Sequence, residues 1–409
     1  MNPKPTLIVI TSYPEKGVVH SAHTVGVASY SKNLLQSIKT QYPQLQIIVL
    51  AERLAACQQC EYLDNGIIVR RCWKRNHPAS LQKIAAICAQ IPQGKILLSL
   101  EINMFGGKYA TWRTLQSLAQ LKKKSRSVTT ILHQVMGDFH QLGVPHWQAE
   151  LLNFGAQYFY RLVQKVSSQL IVFEQALANQ LQAHLPTFVV PHYISKEPIL
   201  EQKSARQLLG WQQQDIYCLY FGYLAPYKGI LPLLQTWPTT APLIDGRQVN
   251  LIVGGGINPN HAKQRQTLTY VKQVTAAAKA KNIPVTGFLP ATKLPTYLSA
   301  CDLMIFPYRT FLSSSGPLAM AFSYGKVPVL ATPLKAYGES SDVACNLKKA
   351  QVDLEKILFN PNSVSSLLAA LNHAWHHQSD WQHFGSLMLA SRQLPQVAQA
   401  TYQLLFPAH

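Results

Sequence analysis

Short runs of Val, Ile and Leu alternate along the chain with longer stretches in which apolar residues recur every three or four positions. The short runs are bounded by polar or turn residues, as buried strands are, and the longer stretches have the helical period. Strands that alternate with helices form parallel sheets joined by crossover helices. In the first half, the pattern predicts strands at 7–11, 47–51, 67–71, 96–100, 128–132, 169–173 and 188–191, and helices that include 27–38 and 147–166.

A second series of the same kind begins near residue 215, after a polar, Pro-containing stretch at 194–214. Two doubly wound, Rossmann-like sheets are therefore expected, with one cleft between the two domains, because ligands bind beyond the carboxyl ends of strands in open sheets. The region from 364 to 406 is predicted to be helical. The second series comprises strands at 216–221, 249–253, 285–288, 303–306 and 327–331, and helices at 230–236, 264–281, 292–300 and 318–324.

Length and composition agree with two domains. The chain has 409 residues, of which 47% are apolar, and one hydrophobic core stops growing at roughly 250–300 residues. No apolar run approaches the ~20 residues of a spanning helix, and the chain enters a strand at residues 6–10 without a signal-peptide layout. We expect a cytosolic protein, with peripheral attachment to a membrane as an open alternative.

The seven cysteines are scattered and odd in number, which suits a reducing compartment. Cys57 and Cys60 have the spacing of a redox or zinc motif, but no second pair stands at finger spacing and no βαβ pattern surrounds them. We interpret them as ordinary reduced thiols. No metal site and no cofactor are predicted.

The net charge favours anionic partners. The chain has 37 Lys and Arg against 18 Asp and Glu, which gives +19, and only 70–75 and 122–126 are dense in basic residues. Phosphorylated substrates, acidic lipids and nucleic acid are all compatible with such a balance. The charge is diffuse and no nucleic-acid recognition motif is present, so nucleic acid is not expected. The run at 122–126 is either a solvated helix end or, with 70–75, a contact with anionic membrane.

A glycine-rich turn at 222–229 follows the strand predicted at 216–221. Glycine lets the backbone approach a ligand, a helix N-terminus favours negative charge, and Lys228 adds a mobile cation. These features outline a diphosphate site, although a solvent-facing lysine in an ordinary turn has the same pattern.

Two further turns are predicted at the same sheet edge. Ser313-Ser-Ser-Gly316 combines hydroxyl N-caps with a glycine, and the N–H groups of Ser315 and Gly316 would point at an anion. A capped helix without a ligand is the alternative. Gly254-Gly255-Gly256 alone is a weak signal and matters as a third turn on this edge.

Two features near the first sheet point to a substrate site. The polar loop at 17–31 suggests a substrate lid, or else a surface loop. His133 follows the predicted strand 128–132 and should stand at the ligand-facing edge, where a structural histidine is the common alternative. Asp138, His140 and His192 lie nearby in sequence or in an equivalent position.

These residues together resemble glycosyltransferase family 4, whose members have the GT-B fold of two Rossmann-like domains. The resemblance runs nearly end to end, and the order and spacing of its elements are more specific than any single one. It rests on Gly26-Val-Ala-Ser-Tyr-Ser-Lys-Asn-Leu34, Leu132-His133, Pro191-His192-Tyr193, Phe221–Gly229, Cys301–Tyr308, Ser314-Ser-Gly-Pro-Leu318 and Tyr324–Val329.

The resemblance implies transfer of a sugar from a nucleotide diphosphate donor to a glycan or lipid-linked acceptor, with retention at the anomeric carbon. It implies a first domain at 1–200, a second at 201–384, and a last helix at 385–409 that packs on the first. His133 would contact the donor sugar and Lys228 would neutralise the leaving diphosphate. Donor or phosphate contacts would come from Gly26, Tyr223, Gly255, Gly287, Phe288, Leu289, Ser314, Ser315, Gly316 and Leu318, and acceptor contacts from Ser29 and Tyr30.

The chain departs from the family pattern at two places. Many members have two glutamates seven residues apart near the Ser313 helix, but residues 312–320 contain no carboxylate. Tyr223 stands where an arginine is common. No Asp-x-Asp occurs and no paired carboxylates suit a hydrolase, so transfer without a metal is predicted. A catalytically silent sugar-nucleotide or glycan-binding protein of this fold stays open, and a basic nucleic-acid-binding protein is a more distant alternative.

Overall fold

The computed structural model describes residues 5–19, 24, 26–54, 59–91, 94–102, 104–123, 127–142, 144–181, 183–258, 262 and 264–407, with backbone only at 121–123 and 142. The chain forms two compact units. Unit 1 comprises Met1–His192, Leu312–Ser314 and Leu394–His409, and unit 2 comprises Tyr193–Phe311 and Ser315–Gln393.

Each unit has one sheet at its centre. In unit 1 the strands are β1 (Thr6–Ile10), β2 (Gln46–Glu52), β3 (Glu61–Asp64), β4 (Ile67–Trp73), β5 (Lys95–Leu100), β6 (Val128–Leu132), β7 (Gln169–Val172) and β8 (Thr187–Val189). In unit 2 they are β9 (Ile216–Phe221), β10 (Leu243–Ile244), β11 (Arg247–Gly254), β12 (Leu303–Phe306), β13 (Val327–Ala331) and β14 (Leu358–Phe359).

The described helices alternate with strands through most of the chain, and the last three, α12 to α14, are consecutive. They are α1 (Gly26–Gln41), α2 (Pro78–Ala89), α3 (Lys108–Lys123), α4 (His146–Val166), α5 (Gln175–Leu181), α6 (Gln202–Leu209), α7 (Ile230–Thr236), α8 (Arg265–Lys279), α9 (Leu294–Ala300), α10 (Gly316–Ser323), α11 (Ser341–Ala350), α12 (Val364–His376), α13 (Gln378–Ser391) and α14 (Leu394–Leu405). Short 3₁₀ turns lie at Phe139–Leu142, Pro226–Lys228, Thr332–Glu339 and Leu354–Ile357.

The strand order is β3-β4-β2-β1-β5-β6-β7-β8 in unit 1 and β10-β11-β9-β12-β13-β14 in unit 2. All pairs are parallel except β3 with β4 and β10 with β11. Every residue of β1, β6 and β13 is buried, which explains why these strands are largely apolar on both faces rather than alternating, although β6 also buries Thr129 and Thr130. The prediction of two doubly wound sheets is therefore confirmed.

The two antiparallel edge strands were not predicted, and nor was β14. Both antiparallel pairs are closed by two-residue turns with positive φ. Asn65 and Gly66 have φ of 48° and 80°, and Asp245 and Gly246 have 50° and 74°. Asn-Gly and Asp-Gly favour this type I′ geometry, so the signal for both hairpins was in the sequence.

The strand predicted at 285–288 is wrong. Only Val285 pairs, in an isolated parallel bridge with Val253. Gly287 has φ +72°, which ends the extended conformation and turns the chain.

The last helix, α14, belongs to unit 1. The rings of Tyr42 and Tyr402 stack with their centroids 3.5 Å apart, and the Gln169 side-chain amide donates to the Leu404 carbonyl at 2.8 Å. The chain thus leaves unit 1, builds unit 2 and returns. Within the described residues, no helix has the length and hydropathy needed to cross a membrane.

Candidate functional site

The unit 2 site lies where the strand order of its sheet reverses. Strand β9 has β11 on one side and β12 on the other, so the connections from β9 and β12 leave in opposite directions. Ligands of open α/β sheets bind outside the carboxyl ends of strands at such a point. Lys228 follows β9, and Tyr308 follows β12.

Lys228 is a buried cation that rests on aromatic faces. Its Nζ lies 3.6 Å from the centroid of the Tyr308 ring and 5.3 Å from that of Tyr227. Burial lowers the pKa of Lys228 to about 7. No carboxylate of the described residues forms an ion pair with it. The aromatic faces attract the ammonium but leave its charge available to an anion.

The turn that holds Lys228 depends on Gly229. This glycine has φ +68°, and a Cβ on it would stand 1.7 Å from the carbonyl oxygen of Pro307. The Arg309 N–H donates to the Tyr227 carbonyl at 2.9 Å. The segment after β12 therefore lies directly against the turn after β9, and only glycine fits at the contact.

Ser315 joins the same group of residues. Its hydroxyl caps α10 by accepting a bond from the Leu318 N–H at 3.2 Å, as predicted from its position before Gly316 and Pro317. The Ser315 and Tyr308 hydroxyls are 2.9 Å apart. Tyr308 thus contacts the Lys228 ammonium with its ring and the helix cap with its hydroxyl.

The other predicted glycine turns meet at this sheet edge. A Cβ on Gly255 would be 2.1 Å from the Gly222 carbonyl oxygen, and one on Gly256 would be 2.8 Å from the Phe288 nitrogen. The Tyr223 carbonyl accepts from the Tyr220 hydroxyl at 2.9 Å. The backbones of these turns pack directly against one another, because glycine has no side chain to separate them. In this region Phe288 is exposed, whereas Leu289 and Leu318 are buried.

Unit 1 has a hydrogen-bonded row of side chains at the carboxyl ends of β1, β5 and β6. Thr11 Oγ1 is 2.9 Å from Ser31 Oγ, which is 3.1 Å from Ser99 Oγ. Ser99 Oγ is 2.8 Å from Nε2 of His133. Here too the row stands where the strand order reverses, between β1 and β5.

His133 lies in an aromatic enclosure. Its ring centroid is 5.0 Å from that of Tyr30 and 5.1 Å from that of Phe173, both edge-on. Burial, with a smaller contribution from His192, lowers the pKa of His133 to about 3. His133 is therefore a neutral imidazole and a hydrogen-bonding group. Of the other predicted residues, Gly26 begins α1 and Ser29 donates to the Val19 carbonyl at 2.6 Å.

Glu174 contacts the serine-rich segment and was missed by the sequence analysis. It follows β7 at a fully buried position, and its Oε1 accepts a bond of 3.0 Å from the hydroxyl of Ser314, which belongs to unit 1. Leu312 is tied to the same unit because its carbonyl accepts from the Val135 N–H at 2.8 Å. Although residues 312–320 contain no carboxylate, the fold brings one to Ser314.

Comparisons with known proteins agree with this architecture. Residues 215–377, which include the whole Lys228 site, match the family model described as glycosyl transferases group 1. No curated protein sequence matches the chain significantly.

Three solved structures illustrate the likeness of the fold. Sucrose-phosphate synthase from Thermosynechococcus elongatus superposes with a TM-score of 0.73 at 14% identity, covering 98% of each chain. Anabaena HepE in complex with UDP gives 0.63 at 16% identity, covering 98% of this chain and 99% of HepE. The UDP-forming α,α-trehalose-phosphate synthase from Burkholderia vietnamiensis gives 0.66 at 10% identity, covering 98% of each.

The chain has the GT-B fold. The predicted fold class is thereby confirmed. The roles predicted for individual residues stay predictions.

Two more charged residues of these sheet edges were missed. Glu101 follows β5, and burial raises its pKa to about 7, against the opposing effect of Arg75. Arg309 lies beside the Lys228 turn, with its Cγ 3.5 Å from the place of a Cβ on Gly229. Glu101 directly follows β5, and Arg309 lies three residues after β12 ends. A charged residue close to the carboxyl end of a predicted strand is the signal that could have found them.

Two residues of the basic cluster at 70–75 make contacts within unit 1. Arg71 is buried, and its guanidinium donates to the carbonyls of Tyr13, Glu52 and Pro14. Arg70 is paired with Glu61 at 2.8 Å. Arg71 thus stabilises the loop after β1, whereas Lys74 of the same cluster is exposed, and a membrane contact of the cluster stays a prediction. Residues 124–126 of the second basic run and Cys57 of the thiol pair lie outside the described residues.

One group of described side chains has the composition of a metal site. Ligand atoms of His140, His146 and Glu150 lie within 4.8 Å of one another. Nδ1 of His140 is 2.7 Å from Asp138, and its Nε2 is 2.8 Å from Nδ1 of His146. All three are exposed, and the hydrogen bonds among them account for the arrangement without an ion.

Proposed function

We propose that this protein is a glycosyltransferase that moves a sugar from a nucleoside diphosphate donor to a glycan or lipid-linked acceptor. The observation that carries the proposal is the buried Lys228 ammonium, held on the Tyr308 ring beside the capped N-terminus of α10. It lies at the switch point of a sheet within the region that matches the glycosyltransferase model.

The chemistry of such a transfer fits this site. When the glycosidic bond of the donor breaks, negative charge accumulates on the leaving diphosphate. A cation and N–H groups that are already in place stabilise that charge without reorganisation, which is usually the largest catalytic term. We assign this role to Lys228 and the N-terminus of α10, with Arg309 as a second cation nearby. The sequence contains no Asp-x-Asp motif, and we propose metal-independent transfer with retention.

Uridine diphosphate is the first ligand to test. The HepE structure was determined in complex with UDP, and the trehalose-phosphate synthase is described as UDP-forming. We infer a uridine donor by analogy with these two proteins of the same fold.

The test is a thermal shift and calorimetric titration with UDP, GDP and ADP. A ligand that binds only the native state stabilises it by about 2.7 kcal/mol at a hundredfold excess over Kd. We expect a selective shift with one base, abolished in Lys228→Ala. Lys272→Ala is the matched control, because Lys272 is an exposed lysine of α8 in the same unit. No shift with any nucleotide would remove the transferase proposal.

A silent binding protein of the same fold is the second candidate, since residues 312–320 have no carboxylate. Release of free nucleoside diphosphate from the matching nucleotide sugar separates the two. Binding without release, across a panel of sugar and lipid-linked acceptors, would favour the silent protein. A cytoplasmic location and peripheral membrane contact are part of the proposal.

A further inference from the structure

Helix α4 has an apolar row on its exposed side. Trp147, Leu151, Phe154 and Tyr158 have exposed fractions of 65%, 63%, 71% and 48%. Their spacing of four, three and four residues places them on one face of the helix. The opposite face packs into unit 1 through Ala149, Tyr160, Val163 and Val166. A contiguous exposed apolar row of this kind marks an interaction site rather than ordinary surface.

We call this row of four apolar residues the α4 stripe. Basic residues continue the row along the helix. Arg161 and Lys165 follow Tyr158 at spacings of three and four residues and are exposed. The neighbouring helix α3 contacts α4 and contains four Lys or Arg residues and no Asp or Glu. Together the two helices contain six basic residues and one acidic residue, Glu150. Aromatic and aliphatic residues bordered by Lys and Arg are typical of helices that lie in a membrane interface.

An apolar cavity of about 620 Å³ lies between the same two helices. Tyr158 belongs both to the stripe and to the cavity wall, and its hydroxyl accepts a bond of 3.0 Å from the Trp112 indole. Lys108 is at the wall as well. The volume falls within the range of pockets that enclose small ligands. The cavity therefore adds apolar space next to the exposed α4 stripe, and Lys108 lies at its wall.

We propose that the α3–α4 face of unit 1 docks on an anionic lipid bilayer. The α4 stripe enters the boundary between headgroups and acyl chains, the Lys and Arg residues contact lipid phosphates, and the cavity receives a hydrocarbon chain from the bilayer. A second copy of the chain is a poorer occupant, because two such faces would bring basic helices together. This docking deepens the peripheral membrane contact of the proposed function by naming the face that makes it, and it requires neither donor binding nor transfer.

The experiment is sedimentation of the full chain, without nucleotide, with vesicles of phosphatidylcholine alone or mixed with phosphatidylglycerol. We expect binding to the mixed vesicles, weakened several-fold by salt because the electrostatic part is screened. The double variant Leu151→Glu/Phe154→Glu should bind at least about 10-fold more weakly, since burial of each side chain contributes roughly one decade or more. Both side chains are exposed, so folding should be retained and is checked by circular dichroism.

The matched control is Leu208→Glu on α6 of unit 2, a leucine that is 75% exposed and should leave vesicle binding unchanged. Absence of binding to anionic vesicles at low salt would overturn the proposal, as would equal binding by the double variant. A dimer in light scattering that the double variant dissociates, without vesicle binding, would instead assign the stripe to a second copy. The thermal shift with nucleotides at the Lys228 site is measured separately, so a failure of membrane docking can be told apart from a failure of nucleotide binding.

Discussion

The Lys228 ammonium stands 3.6 Å from the centre of the Tyr308 ring, and the hydroxyl of that tyrosine is 2.9 Å from Ser315. A cation on a π face has no counter-ion beside it, whereas the charge of an ion-paired cation is already compensated by its carboxylate. The contact thus joins the segments that follow β9 and β12 around a cation to which an anion can bind.

Anion binding at this site should depend on pH. Because burial lowers the pKa of Lys228 to about 7, the ammonium is charged below that pH and loses its proton above it. We expect the affinity for the diphosphate to fall by up to about tenfold per pH unit above 7. The phosphate itself is already mostly ionised above pH 7, since its second pKa is about 6.

Isothermal titration across about pH 6.5 to 9 measures this dependence. Lys228→Arg is the control, because a guanidinium stays charged throughout. A wild-type affinity that does not change with pH would show that Lys228 does not carry the charge that binds the ligand.

Gly229→Ala should destabilise unit 2. The new Cβ would meet the Pro307 carbonyl oxygen at 1.7 Å, and φ +68° is itself strained for alanine. We expect a loss of about 2–5 kcal/mol in the free energy of unfolding, measured in urea. Gly246→Ala is matched in φ, at +74°, but its Cβ meets nothing within 4 Å, so it should cost only the strain of about 1–2 kcal/mol. Equal losses would rule out the backbone clash.

His133 should make the stability depend on acidity. Its pKa is about 3 when folded and near 6.5 otherwise, so the unfolded state binds a proton that the folded state refuses. The stabilisation is present above about pH 6.5 and is lost as the pH falls towards 3. We expect the free energy of unfolding to fall by about 2 kcal/mol between about pH 7 and pH 5 because of this group.

His133→Phe keeps the aromatic contacts with Tyr30 and Phe173 and removes the titration. Ser99 would still have Ser31 at 3.1 Å. If the variant loses as much unfolding free energy as the wild type over this pH range, the titrating group is another one.

The buried ion pair between Lys32 and Asp64, at 2.7 Å, connects α1 to the β3–β4 hairpin. Lys32→Met should destabilise the protein by about 3–5 kcal/mol, because it leaves a buried carboxylate without its cation. The double variant Lys32→Met/Asp64→Asn should regain most of that loss, since asparagine is neutral and still accepts from the Tyr13 hydroxyl. Urea unfolding of the single and double variants measures the coupling, and an unrecovered double variant would argue against it.

Sequence reasoning located the sheet edges because it needed only local information. Buried parallel strands are uniform apolar runs, and the turns that leave them, such as those at Gly222 and Ser315, have glycine or a capping hydroxyl. The Asn65-Gly66 and Asp245-Gly246 hairpins carried an equally local signal that was overlooked.

The contacts between these turns could not be predicted in the same way. Tyr308 meets Lys228 because β9 and β12, far apart in the sequence, are neighbours in one sheet. Glu174 meets Ser314 because the chain returns to unit 1 at Leu312–Ser314. The sequence has no carboxylate at 312–320, but in the folded protein the carboxylate of Glu174 lies beside Ser314. Strand order and the path of the chain decide which side chains share a site.

The return of α14 to unit 1 has a consequence for biosynthesis. The residues that pack on Tyr42 and Gln169 are translated only after the whole of unit 2. While the ribosome is still making unit 2, the surface of unit 1 that α14 will cover is open to chaperones and to self-association. A fragment that stops at His192 would expose the same surface permanently, so a soluble version of unit 1 would need residues 394–407 supplied by fusion or as a peptide.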